Sequence, residues 1–188
     1  MYEIEKDFYN EYIVNKSRFI CLLFKISNII EINDLINKTK KNYKGATHYC
    51  YAYIIDNKEK CSDDGEPAGT AGVPILNILQ KNNLTNILCV VVRYFGGIKL
   101  GAGGLIRAYS SAVNETLKLV NIRKYIEYKI IKISTNYENI KTVEYKLKKY
   151  EILDKNFSDN IKITLKVPLT DLNFINNLEK NNIIKVLK

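Results

Sequence analysis

Outside residues 45–104 the chain has no glycine. All nine glycines lie within that window, eight of them in two short clusters, 65–72 and 96–104. Glycine alone reaches left-handed backbone conformations without strain and lets other backbone or a ligand approach closely. The segments that need special geometry are therefore sought in that third of the sequence. Arginine is almost as scarce. Among 29 basic residues only Arg18, Arg93, Arg107 and Arg123 are arginine, set against 20 acidic residues for a net charge of +9. That balance permits an anionic partner. The 22 asparagines and the abundance of Lys, Ile and Tyr are, however, what an AT-biased coding sequence produces whatever the function, so charge alone selects little. The arginines say more, because only a guanidinium offers a planar fork for bidentate contacts, and Arg93 and Arg107 flank the second glycine cluster.

Other absences narrow the class further. The four cysteines, Cys21, Cys50, Cys61 and Cys89, show no CxxC spacing and read as reduced and structural. One histidine, His48, cannot build a zinc site without paired cysteines. The longest apolar runs, Phe19–Phe24 and Ile87–Val92, are six residues, too short for a membrane span, and the charged Met1–Phe8 segment does not read as a signal peptide. A cytoplasmic protein without a membrane partner is expected. There is no internal repeat and no low-complexity segment, and 188 residues suffice for one or two domains. The sequence does not fix the oligomeric state.

Periodicity predicts strands over Glu11–Val14 and Arg18–Ile26, a helix over Ile29–Tyr43 and a Tyr-rich strand over His48–Ile55. A polar stretch follows over Asp56–Gly69, then a helix over Thr70–Lys81 with Pro74 in its first turn, and a buried strand over Asn86–Tyr94. After a loop with five glycines, Leu105, Tyr109, Ala112, Val113, Thr116 and Val120 recur at helical spacing, with Arg107, Ser110, Ser111 and Asn114 opposite. From Tyr125 onward the texture changes to strand, helix, strand, strand, helix, strand, the ferredoxin-like βαββαβ order. Two domains are expected, 1–124 and 125–188, with net charges of +5 and +4.

Three constellations carry chemistry. In Ser62-Asp63-Asp64-Gly65-Glu66-Pro67 three carboxylates crowd four positions and repel unless a cation, Lys or Arg, or backbone N–H groups balance them. The segment reads as a Mg²⁺ or ligand site using Asp63, Asp64 and Glu66, or as a helix-entry turn or partner-contact loop. It does not fit an EF-hand. The run Arg93 to Arg107 passes from a buried strand through Gly96, Gly97, Gly101, Gly103 and Gly104 into a helix. There, backbone N–H groups with Arg93, Lys99, Arg107 and Ser110 could cradle an anion such as RNA phosphate, or the glycines merely permit a tight crossover. It is neither a P-loop nor a dinucleotide fingerprint. In His48-Tyr49-Cys50-Tyr51-Ala52-Tyr53, a period of two puts His48 and Cys50 on one face and the tyrosines on the other. His48 is either a structural residue or, with Asp63 or Asp64, an acid/base or weak metal set.

Ser17-Arg18-Phe19-Ile20, Ala46 to Ala52, Ser62 to Thr70, and Arg93-Tyr94-Phe95-Gly96-Gly97 through Arg107-Ala108-Tyr109 resemble, in this order and spacing, the YigZ/IMPACT family. The resemblance covers about residues 1–120, and the tail is similar to the additional C-terminal domain of bacterial members. It implies an α+β protein of two domains. The first would be similar to the second domain of ribosomal small-subunit protein five, the second ferredoxin-like. That pairing is similar to the fourth and fifth domains of elongation factor G. Eukaryotic members are regarded as translational regulators that bind a ribosome-associated activator of a stress kinase. The resulting expectation is a non-catalytic binding protein that contacts RNA, the ribosome or a ribosome-associated protein. Its contact residues would be Arg93, Lys99, Arg107 and the loop between, with His48 and Arg18 as further candidates. The rival readings are a Mg²⁺-dependent nucleotide- or phosphate-binding enzyme, and a regulator whose acidic loop docks a basic protein.

Overall fold

The computed structural model describes residues 1–187, and the chain forms two compact units, Met1–Tyr125 and a second from Ile126 onward. In the first unit the elements run β1 (Tyr2–Ile4), β2 (Phe8–Val14), β3 (Ser17–Lys25), α1 (Glu31–Asn42), β4 (His48–Ile55), β5 (Lys58–Ser62), α2 (Gly72–Lys81), β6 (Ile87–Tyr94), α3 (Gly101–Leu117) and β7 (Ile122–Lys124). Five of these strands make one antiparallel sheet in the order β2-β3-β6-β4-β5. The continuous apolar run of β6 takes the central place because both its faces are covered. Leu88, Val90 and Val92 pack with Ile32 and Ile36 of α1, and Cys89 and Val91 pack with α2 and α3 on the other side. The α1 and α3 stripes are those that helical spacing demands, with Leu105, Ala108, Ala112 and Val113 of α3 turned to the sheet.

Two hairpins use the same device. Asn15-Lys16 and Asp56-Asn57 all adopt positive φ, between 47° and 62°, which is the two-residue turn whose twist matches antiparallel strands. The second turn starts β5, which lies inside the stretch expected to be loop. Its sequence KEKCS has no apolar alternation because β5 is a sheet edge, where charged residues face water. Strands β1 and β7, also unmarked by periodicity, pair with each other. They are tied by buried Glu3, which accepts from Lys25 Nζ at 3.0 Å and pairs with Arg123 Nη2 at 2.7 Å. Helix α3 begins at Gly101, so Gly101, Gly103 and Gly104 form its first turn and the glycine loop is shorter than expected.

The second unit runs β8 (Tyr128–Thr135), α4 (Ile140–Leu147), β9 (Glu151–Phe157), β10 (Ile161–Pro168), α5 (Leu172–Lys180) and β11 (Lys185–Leu187). Its sheet order β11-β8-β10-β9 is antiparallel throughout, the ferredoxin-like arrangement. One sheet face, with Ile131, Ile133, Ile163 and Leu165, packs against Val143, Leu147, Ile175 and Leu178 of the two helices.

Gly96 shows why one glycine is fixed. Its N–H donates to Ser17 Oγ at 3.2 Å, and a Cβ there would stand 2.0 Å from the Lys16 carbonyl carbon. Gly97, at φ 84° with open space around it, meets only the backbone penalty. Gly96→Ala is expected to lose at least ~3 kcal/mol by forcing the β2–β3 turn away, and Gly97→Ala about 1 kcal/mol. Thermal melts of the two variants check the order, and an equal shift in both would refute it.

Candidate functional site

The site is assembled on one sheet face by register. His48 of β4 stands directly opposite Arg93 of β6, so both project to the side covered by α2 and α3. Above them the segment between β5 and α2 folds around Asp63. Its carboxylate accepts the N–H groups of Gly69 at 2.9 Å, Ala71 at 3.0 Å and Gly72 at 2.8 Å. Partial burial opposes ionisation of Asp63, but the three backbone donors prevail and hold its carboxyl below the ordinary range. Asp64, in a left-handed conformation, accepts the Tyr49 N–H on Oδ2 at 2.8 Å and faces Lys40 at 3.3 Å, while its N–H reaches Ser62 Oγ at 3.3 Å. The Asp64 carbonyl lies 2.9 Å from His48 Nδ1. A carbonyl can only accept, so this ring nitrogen carries the proton.

Glu66 is thereby delivered into the interior. Its Oε1 accepts from Arg93 Nη1 at 2.6 Å and from the Tyr109 hydroxyl at 2.8 Å, and its Oε2 stands 3.8 Å from His48 Nε2. Arg93 is 5 % exposed, with its guanidinium between the rings of Phe19 and Phe95 and its Nε unpartnered. The Cys50 thiol lies 3.2 Å from the Tyr109 hydroxyl and 3.0 Å from the Asp63 carbonyl. Burial pushes this thiol up to about 12 and raises the Tyr109 phenol well above its ordinary value. Both stay protonated at neutral pH, so Cys50 is a packed donor and not a nucleophile. In front of this network opens a cleft of about 300 Å³, with Glu66, Arg93 and His48 deep in it and Phe95, Lys99 and Leu100 along its wall.

Several sequence expectations change here. Arg93, read as a solvent-facing anion contact, is sequestered by Glu66, because strand register points it at the core. Arg18 is one residue out of phase with it. Arg18 pairs with Tyr94 in register while Phe19 pairs with Arg93, so Arg18 lies on the opposite face, bound to Glu11 at 2.9 and 3.0 Å and stacked over Tyr94. Asp63, Asp64 and Glu66 do not form a Mg²⁺ set. Each carboxylate is engaged by different protein donors, and among the described residues no three His, Cys, Asp or Glu side chains converge as metal ligands. The two glycine-marked segments do meet, as an ion pair rather than as a metal-and-phosphate site. Lys99 and Arg107 remain exposed, Arg107 beside Gly103 and Ser110 partly covered further along α3. Tyr109 belongs to the site although its helical spacing marked it only as core. The signal was a hydroxyl on the buried stripe of a helix, which needs a partner. Thr47 also belongs, its Oγ accepting the Phe95 N–H at 3.1 Å and its own N–H bonding the Arg93 carbonyl at 2.8 Å.

A two-unit α+β protein with this network carries the Impact N-terminal domain, whose family pattern matches residues 15–117. The chain is 44% identical over 157 residues to IMPACT family member YvyE of Bacillus subtilis, spanning 81% of this chain and 72% of that protein. It is 39% identical over 159 residues to an IMPACT family member of Haemophilus influenzae, spanning 81% and 77%. A crystal structure of a hypothetical protein superposes with a TM-score of 0.70 at 25% identity, over 99% of this chain and 95% of the other. The chain belongs to the IMPACT family.

Glu66→Gln keeps the shape but leaves the buried guanidinium without its counter-charge. A loss of roughly 3–5 kcal/mol is expected in urea unfolding, against about 1 kcal/mol for Tyr109→Phe. A near-neutral Glu66→Gln would show that the pair is dispensable. Asp63 adds a pH dependence of defined sign. Its lowered folded-state value makes its contribution complete above the ordinary carboxylate range, about 3.9, and lost as pH falls through the lowered value. The stability gap between the native chain and Asp63→Asn should therefore be widest near neutrality and close on acidification, as a urea-midpoint series would record.

Proposed function

We propose that this chain is a translation-associated binding protein that docks a ribosome-associated partner through the loop after β6 and the first turns of α3. Its membership of the IMPACT family supports the association with translation. One observation carries the assignment of the surface, namely the different fates of the basic residues. Arg93 is neutralised inside, whereas Lys99 and Arg107 are exposed together with Phe95 (47 %), Ile98 (44 %) and Ile106 (42 %). Apolar side chains beside basic ones, on a loop whose start is held by hydrogen bonds to Thr47 and Ser17, match the anchors and rim of a protein interface. In this reading the buried network is the support that holds the loop in register, and the chain is not a catalyst. The cysteine in the network is protonated, and Asp63 is held by backbone donors.

A second reading is favoured by Lys99, Arg107 and the α3 N-terminus together, which would also suit a ribosomal RNA phosphate. Ribosome co-sedimentation from a lysate of the source organism, with and without nuclease, separates the two. Phe95→Ala/Ile98→Ala should lower recovery at least tenfold with the fold unchanged by circular dichroism. Lys99→Glu/Arg107→Glu should mainly weaken the salt-sensitive part. RNA contact would instead make the charge reversal dominant and the recovery nuclease-sensitive. Native protein absent from every ribosomal fraction would overturn the translation assignment.

A further inference from the structure

We infer that the helix-free face of the second unit's sheet is a binding surface for single-stranded nucleic acid. The register places Ser134 of β8 between Lys162 of β10 and Lys185 of β11, with Lys132 two residues further along β8. These positions alternate with the buried Ile131, Ile133, Ile161 and Ile163, so they face away from the core, and all three lysines are exposed. Neighbouring strands are about 4.8 Å apart and alternate residues of a strand nearly 7 Å. Three ammonium groups are thus gathered around one serine, where like charges repel. Among the described residues none of the three has a carboxylate within 4 Å. The acids of this face, Glu151 and Asp154, sit on the outer strand β9, where Glu151 pairs with Lys166 at 3.6 Å. Among the described residues the cluster has no paired counter-charge, and a polyanion supplies one.

The rest of the face selects among polyanions. Tyr128, 45 % exposed, lies on β8 beneath Lys166, and Ile130, 62 % exposed, separates it from Lys132. Ser134 and Thr164 place hydroxyl groups among the lysines. A four-stranded sheet face that offers an aromatic ring and basic side chains suits splayed bases with their phosphates, and a ring has a π-face for any base. An acidic peptide would use the lysines but gain nothing from the ring.

The test is fluorescence anisotropy of the full chain with a labelled oligouridine. Neutralising about three phosphates should give a log–log salt slope near −2. Lys132→Glu/Lys162→Glu/Lys185→Glu should abolish binding with an unchanged thermal midpoint, the Gln triple should weaken it strongly, and Tyr128→Ala should weaken it about tenfold. Lys99→Glu/Arg107→Glu should leave it intact, which separates this surface from the loop of the first unit. Undiminished binding by the lysine triple, loss in the loop variant instead, or equal competition by polyglutamate would each overturn the inference, as would the absence of binding by the native chain.

Discussion

A guanidinium placed among valines and leucines must be neutralised where it stands, and much of the first unit's architecture follows from how Arg93 meets that demand. An isolated buried charge costs several kcal/mol, so Glu66 has to arrive within bonding distance, and Glu66 lies on a segment that has no regular structure to position it. Asp63 does that work by gathering three backbone N–H groups into one carboxylate, closing the turn over the sheet. Tyr109 then bonds the same Glu66 oxygen from α3, so that the helix, the acidic turn and the central strand are tied at one point. Glu66 and Arg93 lie 27 positions apart in sequence, a loop closure whose entropic cost one strong, dry ion pair helps to offset.

The same arrangement divides the basic residues by task. Arg93 meets a buried carboxylate at 2.6 Å and ties strand to turn, while Lys99 and Arg107 carry their charge at the surface. Thr47 and Ser17 bond the N–H groups of Phe95 and Gly96, which fixes the start of the exposed loop without covering its apolar side chains. A rigid base beneath an uncovered mixed surface lowers the ordering cost of binding. In the second unit the economy is different. Its helices cover one sheet face, and the other carries lysines in a cluster that no neighbour among the described residues neutralises.

Residue patterns made much of the fold legible. The six-residue run in β6 marked a strand buried on both faces, the spacing of α3 marked its core stripe, and the alternation in β8 and β10 marked the ferredoxin-like unit. Weak elements escaped for a common reason, since β1, β5 and β7 are short and their positions are set by what they pair with. The start of α3 was misplaced because glycines disfavour a helix interior, whereas in its first turn few intrahelical bonds are at stake.

By itself the sequence determined which residue types were available and where the backbone had to be permissive: two glycine clusters, an acidic triplet, and four arginines in a lysine-rich chain. It could place those groups along the chain but not on a face. Only the tertiary structure decided that Arg93 turns inward beside His48 while Arg18 turns outward, because a strand's period of two reverses the side with every residue and register alone fixes the phase. Likewise, crowded carboxylates are equally compatible with a metal, a basic partner or backbone donors, and the fold chose the donors by wrapping residues 69–72 around Asp63.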